Sequence, residues 1–92
     1  MKASDLKADQ GITGDIDGRP VAVFGQDKQV TVLENICTHR GCQTAWNDDE
    51  RTWDCPCHGS RYNADGTVLR GPARAPLKTL GHTVADGEVK LT

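Results

Sequence analysis

Bulky apolar residues are scarce: one Phe, one Tyr and two Trp in 92 residues, with an apolar fraction of 36% and a mean hydropathy of -0.57. A chain this short buries a modest share of its surface, so a single domain is expected, held by something besides apolar burial. A metal site or a disulfide would supply that stability. Basic excess is also lacking, since 11 Lys and Arg against 13 Asp and Glu give a net charge of -2 and a pI near 5.8. Such a chain gathers no phosphates, which excludes nucleic acid as an expected partner. No apolar run approaches the roughly 20 residues of a membrane span, and residues 1–10 hold neither a basic nor an apolar leader segment. A soluble, cytoplasmic domain without membrane insertion is the expectation. Sustained 3.6-residue periodicity is absent too, so helix is scarce or confined to residues 3–9.

What is present at the two ends is β-rich. Val21-Ala22-Val23-Phe24 and Val30-Thr31-Val32-Leu33 flank the turn-forming residues 25–28, and Asp17-Gly18-Arg19-Pro20 divides residues 12–16 from 21–24. Residues 77–84 and 88–91 repeat the style around Ala85-Asp86-Gly87. An all-β domain of antiparallel strands follows.

Between these flanks lies a segment of different character. All four cysteines fall between Cys37 and Cys57, whereas a disulfide framework for a whole domain would scatter them. Five of the six arginines (Arg40, Arg51, Arg61, Arg70, Arg74) lie within residues 37–76, and all five lysines lie outside. Asp48, Asp49, Glu50, Asp54 and Asp65 share the segment, which reads as a solvated surface of mixed charge. Two boxes stand out, Cys37-Thr38-His39-Arg40-Gly41-Cys42 and Cys55-Pro56-Cys57-His58-Gly59-Ser60. Each offers a Cys-His pair and one spare cysteine, and the spacings Cys37-x-His39 and Cys55-x-x-His58 let adjacent side chains in a loop converge on a metal.

With its second cysteine in each box, this pattern resembles the Rieske family, in which two histidines replace two cysteines on one iron of a 2Fe-2S cluster. The resemblance implies an antiparallel β-sandwich in which a loop-rich cluster-binding subdomain, about residues 36–76, is inserted into a basal β domain of residues 10–35 and 77–92, all one domain over 1–92. It implies that Cys37 and Cys55 hold the inner iron and His39 and His58 the outer iron. It further implies a Cys42–Cys57 disulfide, the mark of the high-potential branch. Ser60 and Tyr62 take the positions of hydroxyls that donate to a bridging sulfide and to the Cys37 sulfur. Gly71-Pro72-Ala73-Arg74-Ala75-Pro76 is similar to the family's proline loop.

The expected function is one-electron transfer with no independent catalysis. Residues 46–66 look most like the Rieske domains at the C-terminus of bacterial FAD-dependent oxidoreductases, which implies a flavin-containing oxidoreductase domain or subunit as partner. The alternative is the Rieske subunit of a quinol-oxidising or other multisubunit redox enzyme; those subunits usually carry leucine where this chain has Arg40, and arginine suits an apolar quinone pocket poorly. A Cys2His2 set also serves structural zinc, but zinc gives Cys42, Cys57, Ser60, Tyr62 and the proline loop no role. Cys42 and Cys57 as free thiols or alternative ligands is a further reading. His82 reads as an ordinary strand or surface histidine, and Trp46 and Trp53 as packing residues.

Overall fold

The computed structural model describes residues 1–2, 6–26, 29–38, 41–57 and 59–92, and all its regular structure is antiparallel β. Three strands, β1 (Gln10–Ile16), β2 (Arg19–Gln26) and β3 (Gln29–Glu34), form a meander in chain order. Four strands of three residues each follow: β4 (Ala45–Asn47), β5 (Thr52–Asp54), β6 (Arg61–Asn63) and β7 (Val68–Arg70), again paired in order. A hairpin of β8 (His82–Ala85) and β9 (Glu88–Leu91) completes the chain.

The middle strand of the meander explains how so small a core suffices. Val21 to Phe24 are all buried, and alternate side chains of a strand point to opposite faces. Ala22 and Phe24 therefore join Leu33, Trp53, Tyr62 and Leu77 in one core, which also contains Cys37 and Cys55. Val21 and Val23 join Ile16, Val32, Leu80 and Val89 in a second core on the other face. One three-stranded sheet thus serves two cores, and one cysteine of each box, Cys37 and Cys55, is rooted in the first.

Close approach of the meander to the four-stranded sheet depends on Gly11. A Cβ there would lie 2.6 Å from Trp53 Cη2 and 2.7 Å from Trp46 Cδ2, so the β1 backbone rests directly on the two indoles. Trp46 and Trp53 pack with ring centroids 4.8 Å apart, and Phe24 meets Trp46 at 5.2 Å, the packing role the sequence assigns to the tryptophans.

Two expectations are amended. Residues 77–84 do not form one strand: Leu77 and Leu80 turn into the two cores while Leu80 N–H donates to Val32 O and Lys78 O accepts from Glu34 N–H, and regular β structure resumes only at His82. The segment read as loop contains β4 to β7, whose three-residue strands are too short to show an alternating pattern. Helix, expected to be scarce or confined to residues 3–9, is absent from the described residues, of which 6–9 form none and 3–5 are not a part.

Candidate metal centre

The two boxes close by one hydrogen-bond pattern. In the first, Cys37 N–H donates to Cys42 O (2.6 Å) and Gly41 N–H donates back to Cys37 O (2.8 Å). In the second, Cys55 N–H donates to Ser60 O (2.8 Å) and Gly59 N–H donates to Cys55 O (3.1 Å). Each loop needs a left-handed residue one step before it closes, and glycine fills that place in both, Gly41 at φ 75° and Gly59 at φ 80°. Cys37 matches Cys55, and each lies at its loop's buried root with 2% of its surface exposed.

Each loop has its own clamp. Asn35 is buried and accepts from Thr44 N–H (2.8 Å) and Thr44 Oγ1 (2.7 Å), while its amide donates to Thr44 O (3.3 Å). The side chain so behaves as a strand partner across the base of the first loop. At the base of the second, Asp54 and Arg61 face each other across β5 and β6 with Nε–Oδ1 at 3.0 Å. Burial pushes the Asp54 carboxyl up, but hydrogen bonds from Arg61, Thr52 and Asn47 together outweigh it and hold the group below its ordinary value.

A disulfide between Cys42 and Cys57, with Cα atoms 6.6 Å apart, ties the loops together as the family resemblance implies. The sulfurs of Cys42, Cys55 and Cys57 lie within 4.8 Å of one another. Two of the three are joined in the disulfide, so only Cys55 offers a thiolate from that group, which removes Cys42 and Cys57 from the ligand alternatives.

Tyr62 is fully buried, and its hydroxyl lies 3.3 Å from Cys37 Sγ. Thr38 N–H donates to the same oxygen at 3.1 Å, and Thr38 Oγ1 lies at 3.1 Å. Because Thr38 Oγ1 gives its own hydrogen to Ala75 O (2.7 Å), it can only accept from the phenol. The single phenolic hydrogen is thus held between two acceptors, the Cys37 sulfur and the Thr38 oxygen. Burial and the neighbouring Cys37 raise the Tyr62 pKa against the opposing effect of Thr38, which keeps the phenol protonated and able to donate. Ser60, also fully buried, accepts from Ala73 N–H at 3.1 Å, and its hydroxyl hydrogen meets no acceptor among the described residues.

His39 and His58 fall outside the described residues, as does Arg40. The remaining members of the set, Cys37, Cys55, Ser60 and Tyr62, belong to one locality between the first core and the loop tips. His82 stands apart on β8, where its Nδ1–H donates to Leu80 O at 3.2 Å, as suits a strand histidine. Sequence reasoning missed Thr38, Asn35 and Thr44; their signal was position alone, one residue inside the first box and two residues outside each end.

The donor set fits a 2Fe-2S cluster. Two buried thiols outside the disulfide would serve as anionic ligands, a phenol aims at one of them, and a buried serine holds a hydrogen that an inorganic sulfide would accept. Zinc would use the thiols but would leave the serine hydrogen without a partner.

Comparison with known proteins agrees. The family model for the Rieske [2Fe-2S] domain matches residues 1–81. The Rieske 2Fe-2S iron-sulfur protein YhfW of Bacillus subtilis (strain 168) is 43% identical over 81 residues, covering 87% of this chain and 16% of that protein. The cytochrome b6-f complex iron-sulfur subunit of Synechococcus sp. (strain JA-3-3Ab) is 40% identical over 95 residues, covering 98% of this chain and 51% of that subunit. This chain therefore spans a sixth to a half of these relatives. The crystal structure of the plasma membrane Rieske protein PetC3 from Synechocystis PCC 6803 superposes with a TM-score of 0.83 at 34% identity, covering 99% of this chain and 94% of that one.

Proposed function

This chain belongs to the Rieske [2Fe-2S] family and carries one such cluster, and from that premise we propose that Cys37, Cys55, His39 and His58 hold it and that the domain serves a flavin-dependent oxidoreductase as its electron-transfer module. When bound, the cluster takes up and releases one electron at a potential of roughly -150 to +300 mV, because imidazole ligation leaves it less negative than four thiolates would. The observation that carries the reading is the pair of loops with matching hydrogen bonds, which set Cys37 and Cys55 at equivalent buried roots. Around that site the chain's own residues do three things. Tyr62 donates toward the Cys37 sulfur and so favours added negative charge there. Ser60 presents a hydrogen to the buried space, and the disulfide holds the loops in register.

The flavin partner is supported by the resemblance of residues 46–66 to Rieske domains fused to FAD-dependent oxidoreductases, and by a 43% identical relative in which the matching region is a small fraction of a long chain. A second reading, a subunit of a quinol-oxidising complex, has the similarity to the cytochrome b6-f subunit in its favour and Arg40 against it. Anaerobic reduction of the loaded chain separates the two. An NADPH-dependent FAD-containing ferredoxin reductase is expected to bleach the visible spectrum, while decylubiquinol produces no reduction sensitive to quinol-site inhibitors. Faster, inhibitor-sensitive reduction by the quinol would reverse the assignment.

A further inference from the structure

Charge in the four-stranded sheet is sorted by end. Cys42 leads into β4, Cys55 follows β5, Ser60 leads into β6 and Arg70 ends β7, so both ligand loops and Arg70 share one end. The β4–β5 turn, with exposed Asp48, Asp49 and Glu50, and the β6–β7 turn, with exposed Asp65, lie at the other. Sequence alone counts these acids as balancing the arginines; topology sets the acids, with Arg51 among them, at one end of the sheet and Arg61 and Arg70 at the other.

At the loop end the carboxylates nearest in the chain are already committed. Glu34 pairs with Arg19 at 2.8 Å and Asp54 with Arg61 at 3.0 Å. Arg70 and Arg74 are exposed and make no ion pair among the described residues. Between the first loop and the proline loop runs an open groove of about 380 Å³ lined by Thr38, Pro72, Arg74 and Ala75. Its two walls are joined by the Thr38–Ala75 hydrogen bond, and the proline loop is joined to the second box through Ala73 and Ser60. An apolar patch of proline and alanine rimmed by arginine has the makeup of a protein contact surface.

We propose that this groove, with Arg74 in its lining and Arg70 at the end of β7 that leads into the proline loop, is the docking site for a redox protein that presents carboxylates around its own electron-transfer centre. The proposal rests on the electron-transfer reading and adds the chemistry of the partner. The chain carries -2 overall, so its net charge predicts repulsion of an anionic partner, and the local field predicts attraction. The two differ in the sign of the salt effect.

Stopped-flow oxidation of the dithionite-reduced, cluster-loaded chain by ferricyanide, by hexaamminecobalt(III) and by an oxidised acidic blue-copper protein tests it across roughly 20 to 300 mM ionic strength. The two anionic oxidants are expected to slow as salt rises and the cationic one to quicken. In the double variant Arg70→Glu with Arg74→Glu those slopes reverse, and the low-salt rate with ferricyanide drops about tenfold. Reversal at the far end, Asp49→Lys with Glu50→Lys, keeps the original slopes. Binding of a decaglutamate peptide by calorimetry gives a readout apart from electron flow: the wild type binds with salt sensitivity, and the arginine variant does not bind. Anionic oxidants that quicken with salt, or arginine variants that match the wild type in rate and peptide binding, would overturn the proposal. An unaltered electron paramagnetic resonance spectrum in the variants shows that the cluster and fold survive, so a failure of docking stays distinct from a failure of the electron-transfer reading.

Discussion

At the scale of single residues, the site is governed by which hydrogens reach which acceptors. Tyr62 shares one phenolic hydrogen between Cys37 Sγ at 3.3 Å and Thr38 Oγ1 at 3.1 Å. More charge on the sulfur draws that hydrogen toward it, so the bond favours the reduced state. Tyr62→Phe is expected to lower the reduction potential by roughly 40 mV, the one-electron equivalent of about 1 kcal/mol of differential stabilisation. Protein-film voltammetry checks this; an unchanged potential would show that the phenol does not sense the redox state. Asn35 is a different case, since its side chain satisfies the Thr44 backbone and hydroxyl in a buried place. Asn35→Ala leaves those groups unpaired and should cost about 1–3 kcal/mol in chemical denaturation. Cys37, Cys55, Ser60 and Tyr62 were legible in the sequence because motif spacing exposes them. Asn35 and Thr38 were not, because an Asn or Thr in a loop has many local uses and its partners here stand 9 to 37 residues away.

Among the elements, the three-stranded meander was legible and the four-stranded sheet was not. Residues 21–24 and 30–33 are β-branched or aromatic runs between turn signals, whereas β4 to β7 run three residues apiece and are held by cross-strand pairs such as Trp46–Trp53 and Asp54–Arg61. Those pairs are invisible until the register is known. The same holds for Gly11, which is where the meander meets both tryptophans. Gly11→Ala should destabilise the fold by about 1–3 kcal/mol through overpacking. Thermal unfolding of the loaded chain measures it, and an unchanged midpoint would mean that the indoles move aside freely. Asp65, in the β6–β7 turn, accepts from Thr67 N–H and Oγ1, which hold its carboxyl below its ordinary value. Its stabilisation is present above the unfolded value of about 3.9 and is lost as pH falls through the lowered folded value. Asp65→Ala should therefore cost about 0.5 kcal/mol at neutral pH, discounted for solvent exposure, and the gap to wild type should narrow only below about pH 4. A gap that widens on acidification would contradict the assigned sign.

At the level of the whole molecule, one sheet with a core on either face anchors Cys37 and Cys55, and a disulfide completes what limited apolar bulk leaves unfinished. A loop of this size closed by a disulfide contributes about 3 kcal/mol. The account turns on unequal ligation, thiolate on one iron and imidazole on the other. Electron-nuclear double resonance on the dithionite-reduced protein reads that most directly. Strong nitrogen couplings from two imidazoles are predicted, lost one at a time in His39→Ala and His58→Ala. A spectrum without nitrogen coupling, in protein holding two irons and two acid-labile sulfides, would contradict it.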